Sequence, residues 1–328
     1  MNAFISLTWR GHACALGAAA LWAVSAALAK GLFSGSLDVF SVAQTRALVG
    51  FLFLWPALLL FRRPLARLAP REVPFMALVG ANFVLIHASY YYAISLMPVA
   101  VAILIQYMAP LLILAWVRGA RRRPVEPTLW AAALLCLAGC ALVAGVSGDV
   151  GGIGARGLAA GVVSAITYAA YILLAESGVR RFSPWTILCY GLGFAALFWG
   201  VLRPWWRFPY QALTPGTAGL LVFIAVMGTV LAFGLVSVAL RYLPAGPVGI
   251  TTTAEPVIAA GVAFIHLHEH LTATQLAGGA LVLAGILLSH RVPAGEAAPE
   301  WHGSRRAEEG QEGAAAGVRG TLRREQGR

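Results

Sequence analysis

The sequence predicts an all-α integral membrane protein with ten transmembrane helices, arranged as two inverted five-helix repeats. Three observations carry this expectation. Apolar residues make up 59% of the chain and charged residues 11%, against roughly 45–50% and 25% in soluble domains. The chain also matches itself at an offset of 146 residues: Pro98 and Pro110 fall on Pro244 and Pro256, and Leu135, Gly139 and Leu142 fall on Leu281, Gly285 and Leu288. Finally, arginine crowds the loops of one side only. A repeat with an odd number of crossings forces its second copy to insert upside down, and many secondary transporters are built this way. The repeats occupy residues 1–146 and 157–291, followed by a tail at 292–328.

Each helix is a stretch near the roughly 20 residues that span a bilayer. The first, about 12–33, carries Trp22 as an aromatic wall candidate and Lys30 near its outer end. The second, 40–61, holds Arg46 six residues in from its outer end, about 9 Å of helix, from where it can snorkel or face inward. The third, 73–96, contains Asn82, His87 and the run Tyr90, Tyr91 and Tyr92, part of which suits an interfacial belt. The fourth, 98–117, carries Gln106, Tyr107 and Pro110. The fifth, 128–146, and the tenth, 272–290, are rich in small residues: Ala141 with Gly145 and Ala280 with Ala284 have the spacing that permits close helix contact within the fold or between protomers. The sixth, 157–176, ends at Glu176, read as a helix-end residue; the seventh and eighth, 184–202 and 216–238, offer no candidate. The ninth, 244–265, holds Glu255 at mid-span.

The net charge of +11 sits almost wholly in short loops. Arg10, Arg62, Arg63, Arg67, Arg71, Arg118, Arg121, Arg122, Arg123, Arg180, Arg181, Arg241 and Arg291 share one side of a ten-span chain, whereas Lys30, Arg156, Arg203 and Arg207 lie on the other. The positive-inside rule then puts both termini in the cytoplasm, with the chain in the inner membrane. A nucleic-acid surface is excluded by the same dispersal of charge. The first thirty residues also resemble a signal peptide, but removing them would delete the repeat partner of helix six. Cys14, Cys136, Cys140 and Cys189 all fall inside spans, where thiols pack as small apolar groups. The tail has no apolar periodicity and reads as disordered.

A carboxylate inside a span costs about 2.5–3.5 kcal/mol on insertion scales, which marks Glu255 as a functional candidate. It directly precedes Pro256, whose ring nitrogen cannot bond the carbonyl of Thr252. Thr251 and Thr252 lie four and three residues back, on the face that Glu255 would share in a straight helix. In the first repeat Pro110 frees the carbonyl of Gln106, and Gln106 and Tyr107 fall on Thr252 and Thr253. Helices four and nine thus wall a central cavity, with His87, Arg46 and Trp22 as further lining candidates and Arg46 able to hold a carboxylate or pair with Glu255. In the turn His266, His268, Glu269 and His270, the alternate histidines can chelate a metal when extended, but no further strong ligand lies near them in the sequence, and no metal is expected.

The Glu-Pro pair at Glu255 and Pro256, then Glu269, Leu271, Thr272 and the Gln-x-x-Gly-Gly-Ala run from Gln275 to Ala280 resemble the second-repeat signature of the EamA family, in the drug/metabolite transporter superfamily. Arg46 and the Met-Ala-Pro segment ending at Pro110 resemble its first repeat. One departure is that Arg123 stands in the register of Glu269. The resemblance, over about residues 12–290, implies a ten-helix bundle with internal termini that moves small metabolites, often outward. With no P-loop, HExxH or GxSxG motif, the chain reads as a secondary transporter rather than an enzyme, without a cofactor, exporting an amino acid or similar amphipathic metabolite. The runner-up is uptake or exchange of a sugar- or nucleotide-like solute, and a membrane enzyme or a non-transporting scaffold is the reading from another class. A small-molecule substrate and the lipid bilayer are the expected partners; a coupling proton or other ion and a homodimer are left open.

Overall fold

The computed structural model of the chain describes residues 2–33, 37–62, 65, 68–145, 154–267 and 271–290. Among these, every regular element is helical. In order they are α1 (Asn2–Phe33), α2 (Val39–Phe61), α3 (Val73–Leu96), α4 (Val99–Gln106), α5 (Ala109–Gly119), α6 (Pro127–Val143), α7 (Ala155–Val179), α8 (Pro184–Leu202), α9 (Pro215–Ala225), a π-helical turn (Val226–Leu231), α10 (Ala232–Ala239), α11 (Ala245–Thr252), α12 (Glu255–Leu267) and α13 (Ala273–His290). Seven helical runs among the described residues are long and apolar enough to cross a membrane, and α6 is a shorter apolar helix. Leu52, Phe53, Leu60, Leu85, Ile166, Leu197 and Val201 point outward and are exposed. Such a surface suits hydrocarbon, and the chain is a multi-pass membrane protein.

Proline sets the helix boundaries. Pro110 and Pro256 each sit in the first turn of a new helix, where the missing N–H leaves no bond unmade. The spans expected at 98–117 and 244–265 are therefore each broken in two, at Tyr107–Met108 and at Thr253–Ala254. The repeat is visible in these boundaries: α4, α5 and α6 begin at Val99, Ala109 and Pro127, and α11, α12 and α13 begin 146 residues later, at Ala245, Glu255 and Ala273. The π turn inside the eighth expected span had no counterpart in the sequence reading.

The most extensive helix pairing joins α6 to α13. A Cβ on Gly139 would lie 2.5 Å from the Gly278 carbonyl oxygen, and one on Gly285 would lie 2.7 Å from that of Ala132. Between them the Cys136 thiol reaches the Val282 carbonyl at 3.5 Å. Early residues of α6 thus meet late residues of α13, so the two helices run antiparallel. The expected small-residue pairs do not make this contact: Ala280 and Ala284 are exposed, and Gly145 lies beyond the end of α6 at φ 61°. Glycine on the other face allows the backbones closer than alanine would.

A residue can touch its own repeat counterpart only near the axis that relates the two copies. Cys136 and Val282 are such a pair, and so are Trp22 with Tyr168 (ring centroids 5.9 Å apart) and His87 with Phe233 (5.9 Å). α1, α3 and α7 therefore meet the start of α10 at the centre of the molecule. The side chain of Lys30, residues 268–270 of the histidine-rich turn and the tail at 292–328 lie outside the described residues.

Candidate functional site

The centre holds a cavity of about 270 Å³ lined by Trp22, Ser25, Ala26, Arg46, Ile86, His87, Tyr90, Tyr91, Ile94, Val99, Gln106, Tyr107, Tyr168, Phe233 and Glu255. Six of the eight residues that the sequence put forward meet here: Trp22, Arg46, His87, Gln106, Tyr107 and Glu255. The two helix breaks deliver three of them. Tyr107 caps the end of α4 and its hydroxyl donates to Glu255 Oε2 at 2.6 Å, bridging the first half to the first residue of α12. That position also sets the carboxylate in the first turn of α12, where the helix dipole favours negative charge. Gln106 Nε2 donates to Ser164 Oγ at 2.8 Å.

Thr251 and Thr252 do not line the cavity. Thr251 is fully buried, paired with His12 Nδ1 at 2.8 Å and donating to the Pro247 carbonyl at 2.8 Å. Thr252 stands behind the wall, accepting from the Tyr168 hydroxyl at 3.0 Å. The break at Thr253–Ala254 interrupts the helix between Thr252 and Glu255, so the shared face of a straight helix does not exist here. Arg46 faces inward. It donates through Nε to Thr229 Oγ1 at 2.8 Å, through Nη2 to the Gly228 carbonyl at 2.9 Å and through Nη1 to the Tyr91 hydroxyl. Among the described residues the ion pairs are Arg121–Glu176 and Arg203–Asp38, so Arg46 and Glu255 share the cavity without a direct pair.

His87 Nδ1 donates to the Phe83 carbonyl at 2.7 Å and its ring lies on the cavity wall. Of the tyrosine run, Tyr90 and Tyr91 line the cavity and Tyr92 points outward. Tyr168, Phe233 and Ser25 were not foreseen, though Tyr168 and Phe233 fall on Trp22 and His87 under the repeat offset, a signal already in the sequence. Glu176, expected as a plain helix-end residue, is buried; it pairs with Arg121 and accepts the Ala245 backbone N–H at 2.8 Å. It thereby staples α5, α7 and the start of α11 at one end of the cavity. At the far end of α2, Asp38 caps the helix and receives a two-pronged bond from Arg203. Burial alone would raise the Asp38 pKa, but hydrogen bonds from Arg203 and Ser41 hold it down to about 2.

Among the described residues the site offers one cation and one carboxylate between aromatic walls, and no three His, Cys, Asp or Glu groups converge to hold a metal. A multi-pass helical protein enclosing such a cavity at paired helix breaks is a membrane transporter in form. The chain belongs to the EamA-like transporter family, whose sequence model matches residues 9–145 and again residues 155–291. It is 32% identical over 260 residues to an uncharacterized transporter of Archaeoglobus fulgidus, covering 77% of this chain and 87% of that one. It is 27% identical over 219 residues to the threonine/homoserine exporter RhtA of Escherichia coli (strain K12), covering 64% and 68%. One solved crystal structure superposes with a TM-score of 0.71 at 19% identity, over 85% of this chain and 96% of the other, a likeness of fold alone.

Proposed function

We propose that this protein is a secondary transporter of the inner membrane that exports amino acids or similar small amphipathic metabolites by alternating access. The observation that carries the reading is the central cavity, which presents Arg46 and Glu255 together and is otherwise lined mainly by apolar and aromatic side chains. A small solute with charge and an apolar portion satisfies both parts. A sugar- or nucleotide-phosphate would call for several cations, and Arg46 is the lone arginine or lysine among the described lining residues. The RhtA likeness supports amino-acid export in particular.

In this reading ten crossings form two inverted repeats, residues 1–146 and 157–291, with both termini cytoplasmic. Support comes from the antiparallel α6 and α13 pair and from repeat counterparts in contact along one axis. Glu255, Gln106, Tyr107, His87, Arg46 and Trp22 contact substrate, Thr251 and Thr252 shape the wall from behind, and rocking of the halves about the breaks at Pro110 and Pro256 opens each side in turn. Purified protein in proteoliposomes should exchange at least one of the standard amino acids in a counterflow assay with all of them tested separately. Exchange of none, by protein that remains monodisperse, would overturn the amino-acid reading.

A further inference from the structure

We propose that the π-helical turn Val226–Leu231 is a positioning element that turns Arg46 and Ser25 into a carboxylate subsite. The cavity would therefore select solutes carrying a carboxylate and an ammonium group together. This deepens the transporter reading above and rests on it.

In a π turn the bonds run from i to i+5, so carbonyl and hydroxyl groups lose their usual helical alignment and become available to other side chains. Here the Gly228 carbonyl accepts from two different helices, Trp22 Nε1 of α1 at 3.1 Å and Arg46 Nη2 of α2 at 2.9 Å. The next residue, Thr229, accepts from Arg46 Nε at 2.8 Å. With Tyr91 on Nη1, each guanidinium nitrogen has one fixed partner. A guanidinium has five N–H groups, so two remain without a protein partner among the described residues, on a side chain that lines the cavity. All three partners are neutral, and the positive charge meets no contact carboxylate.

A second, independent observation points to a ligand at the same place. Ser25 is 4% exposed, lines the cavity, and its hydroxyl has no hydrogen-bond partner among the described residues. Such orphans are expensive. Ser25 and Arg46 converge over Gly228: a Cβ there would lie 2.5 Å from Ser25 Oγ and 3.6 Å from Arg46 Nη2. Glycine at 228 is what lets the two donors close on one point. A carboxylate has the acceptor capacity to take a guanidinium fork and a hydroxyl at once. Elsewhere in the cavity, Glu255 spends Oε2 on Tyr107 and leaves Oε1 without a protein donor among the described residues, the complement of an ammonium group.

The test is counterflow in proteoliposomes of radiolabelled L-threonine and L-phenylalanine, competed by each amino acid, its amide and its decarboxylated amine. Wild-type protein should prefer acid over amide. Ser25→Ala, which breaks no protein bond, and Thr229→Val, which removes the Nε acceptor, should each shrink that preference about tenfold, the effect of losing one well-placed polar contact. Competition by the amine should not change, and Thr229→Ser should restore the preference. A merely structural role would weaken all three competitors alike. Equal competition by acid and amide in wild type, or an unchanged preference in both variants, overturns this inference and leaves the transporter reading standing. If Thr229→Val does not fold, Ser25→Ala decides the question. Movement of no amino acid by wild type overturns both.

Discussion

Removing one hydroxyl from a bond that joins the two halves gives a test with a calculable size. Tyr107 is 3% exposed and donates to Glu255 Oε2 at 2.6 Å, within the range of charge-assisted O–H···O bonds. A bond to a charged partner contributes about 1.5–3 kcal/mol, and one between neutral groups about 1. Tyr107→Phe should therefore cost about 2 kcal/mol. Glu255→Gln keeps an acceptor of nearly the same shape and should cost about 1 kcal/mol. In a chain already carrying Tyr107→Phe the bond is gone, so Glu255→Gln should cost close to nothing there, giving a coupling of about 1 kcal/mol between the two sites. Denaturant titration of all four proteins in mixed micelles measures it. Additivity within about 0.3 kcal/mol would mean that the two residues do not act as a pair. Transport separates the roles further: Glu255→Gln should fold, yet lose most amino-acid counterflow, and full counterflow by that variant would leave Glu255 a structural residue.

The α6 and α13 contact makes a second prediction: Gly139→Ala and Gly278→Ala each push a Cβ to within 2.6 Å of a backbone oxygen and should cost about 2 kcal/mol by overpacking, whereas Gly261→Ala, with open space around it, should be neutral or stabilising in the same titration. Asp38 fixes a pH window. Its pKa is held near 2 in the folded protein, so its contribution is fully present above the unfolded value of about 3.9 and is lost as pH falls toward 2; with Asp38 45% exposed, solvent screening limits it to about 1 kcal/mol, and Asp38→Asn should flatten the stability curve between pH 4 and 2. In a background lacking the four native cysteines, Gln106→Cys should react with a water-soluble thiol reagent and be protected by substrate, while Thr251→Cys should stay slow; equal rates would displace the cavity from α4. Reporter fusions after residue 122 and at the C-terminus should report cytoplasm and one near residue 149 the opposite side, and any other pattern would refute the ten-span topology.

The parts legible in the sequence were those written in local chemistry. Pro110 and Pro256 marked both helix breaks because a missing N–H disrupts a helix wherever it falls, and Glu255 stood out because a carboxylate in hydrocarbon demands a reason. What depended on rotation about a helix axis was not legible. Three consecutive tyrosines point in three directions 100° apart, and packing of α3 against α7 and α8 decided that Tyr90 and Tyr91 face inward. Thr251 was assigned by the periodicity of an unbroken helix, and the break itself removed that periodicity. The partner of Glu176 is Arg121, 55 positions away in the other half, a pairing that no local pattern encodes. The π turn is the sharpest case, since Val226 to Leu231 reads as ordinary apolar helix and its extra residue shows only in the bonds it makes.

The scaffold is nearly symmetric and the chemistry is not. Counterparts Trp22 and Tyr168, and His87 and Phe233, flank one axis, and in the proposed mechanism this similar packing would let each half rock against the other. Yet the repeat counterpart of Arg46 is Leu192, that of Glu255 is Ala109, and that of Ser25 is Tyr171. Each polar group that could grip a charged solute has therefore been kept, or acquired, in one copy alone. A binding site duplicated with its scaffold would offer two equivalent orientations to the solute, whereas the site proposed here would offer a single orientation, with the carboxylate toward α2 and the ammonium toward α12. If the halves exchange places between two open states as proposed, the packing is conserved but the charges are not mirrored. The solute then meets the same two anchors from both sides of the membrane without having to turn around.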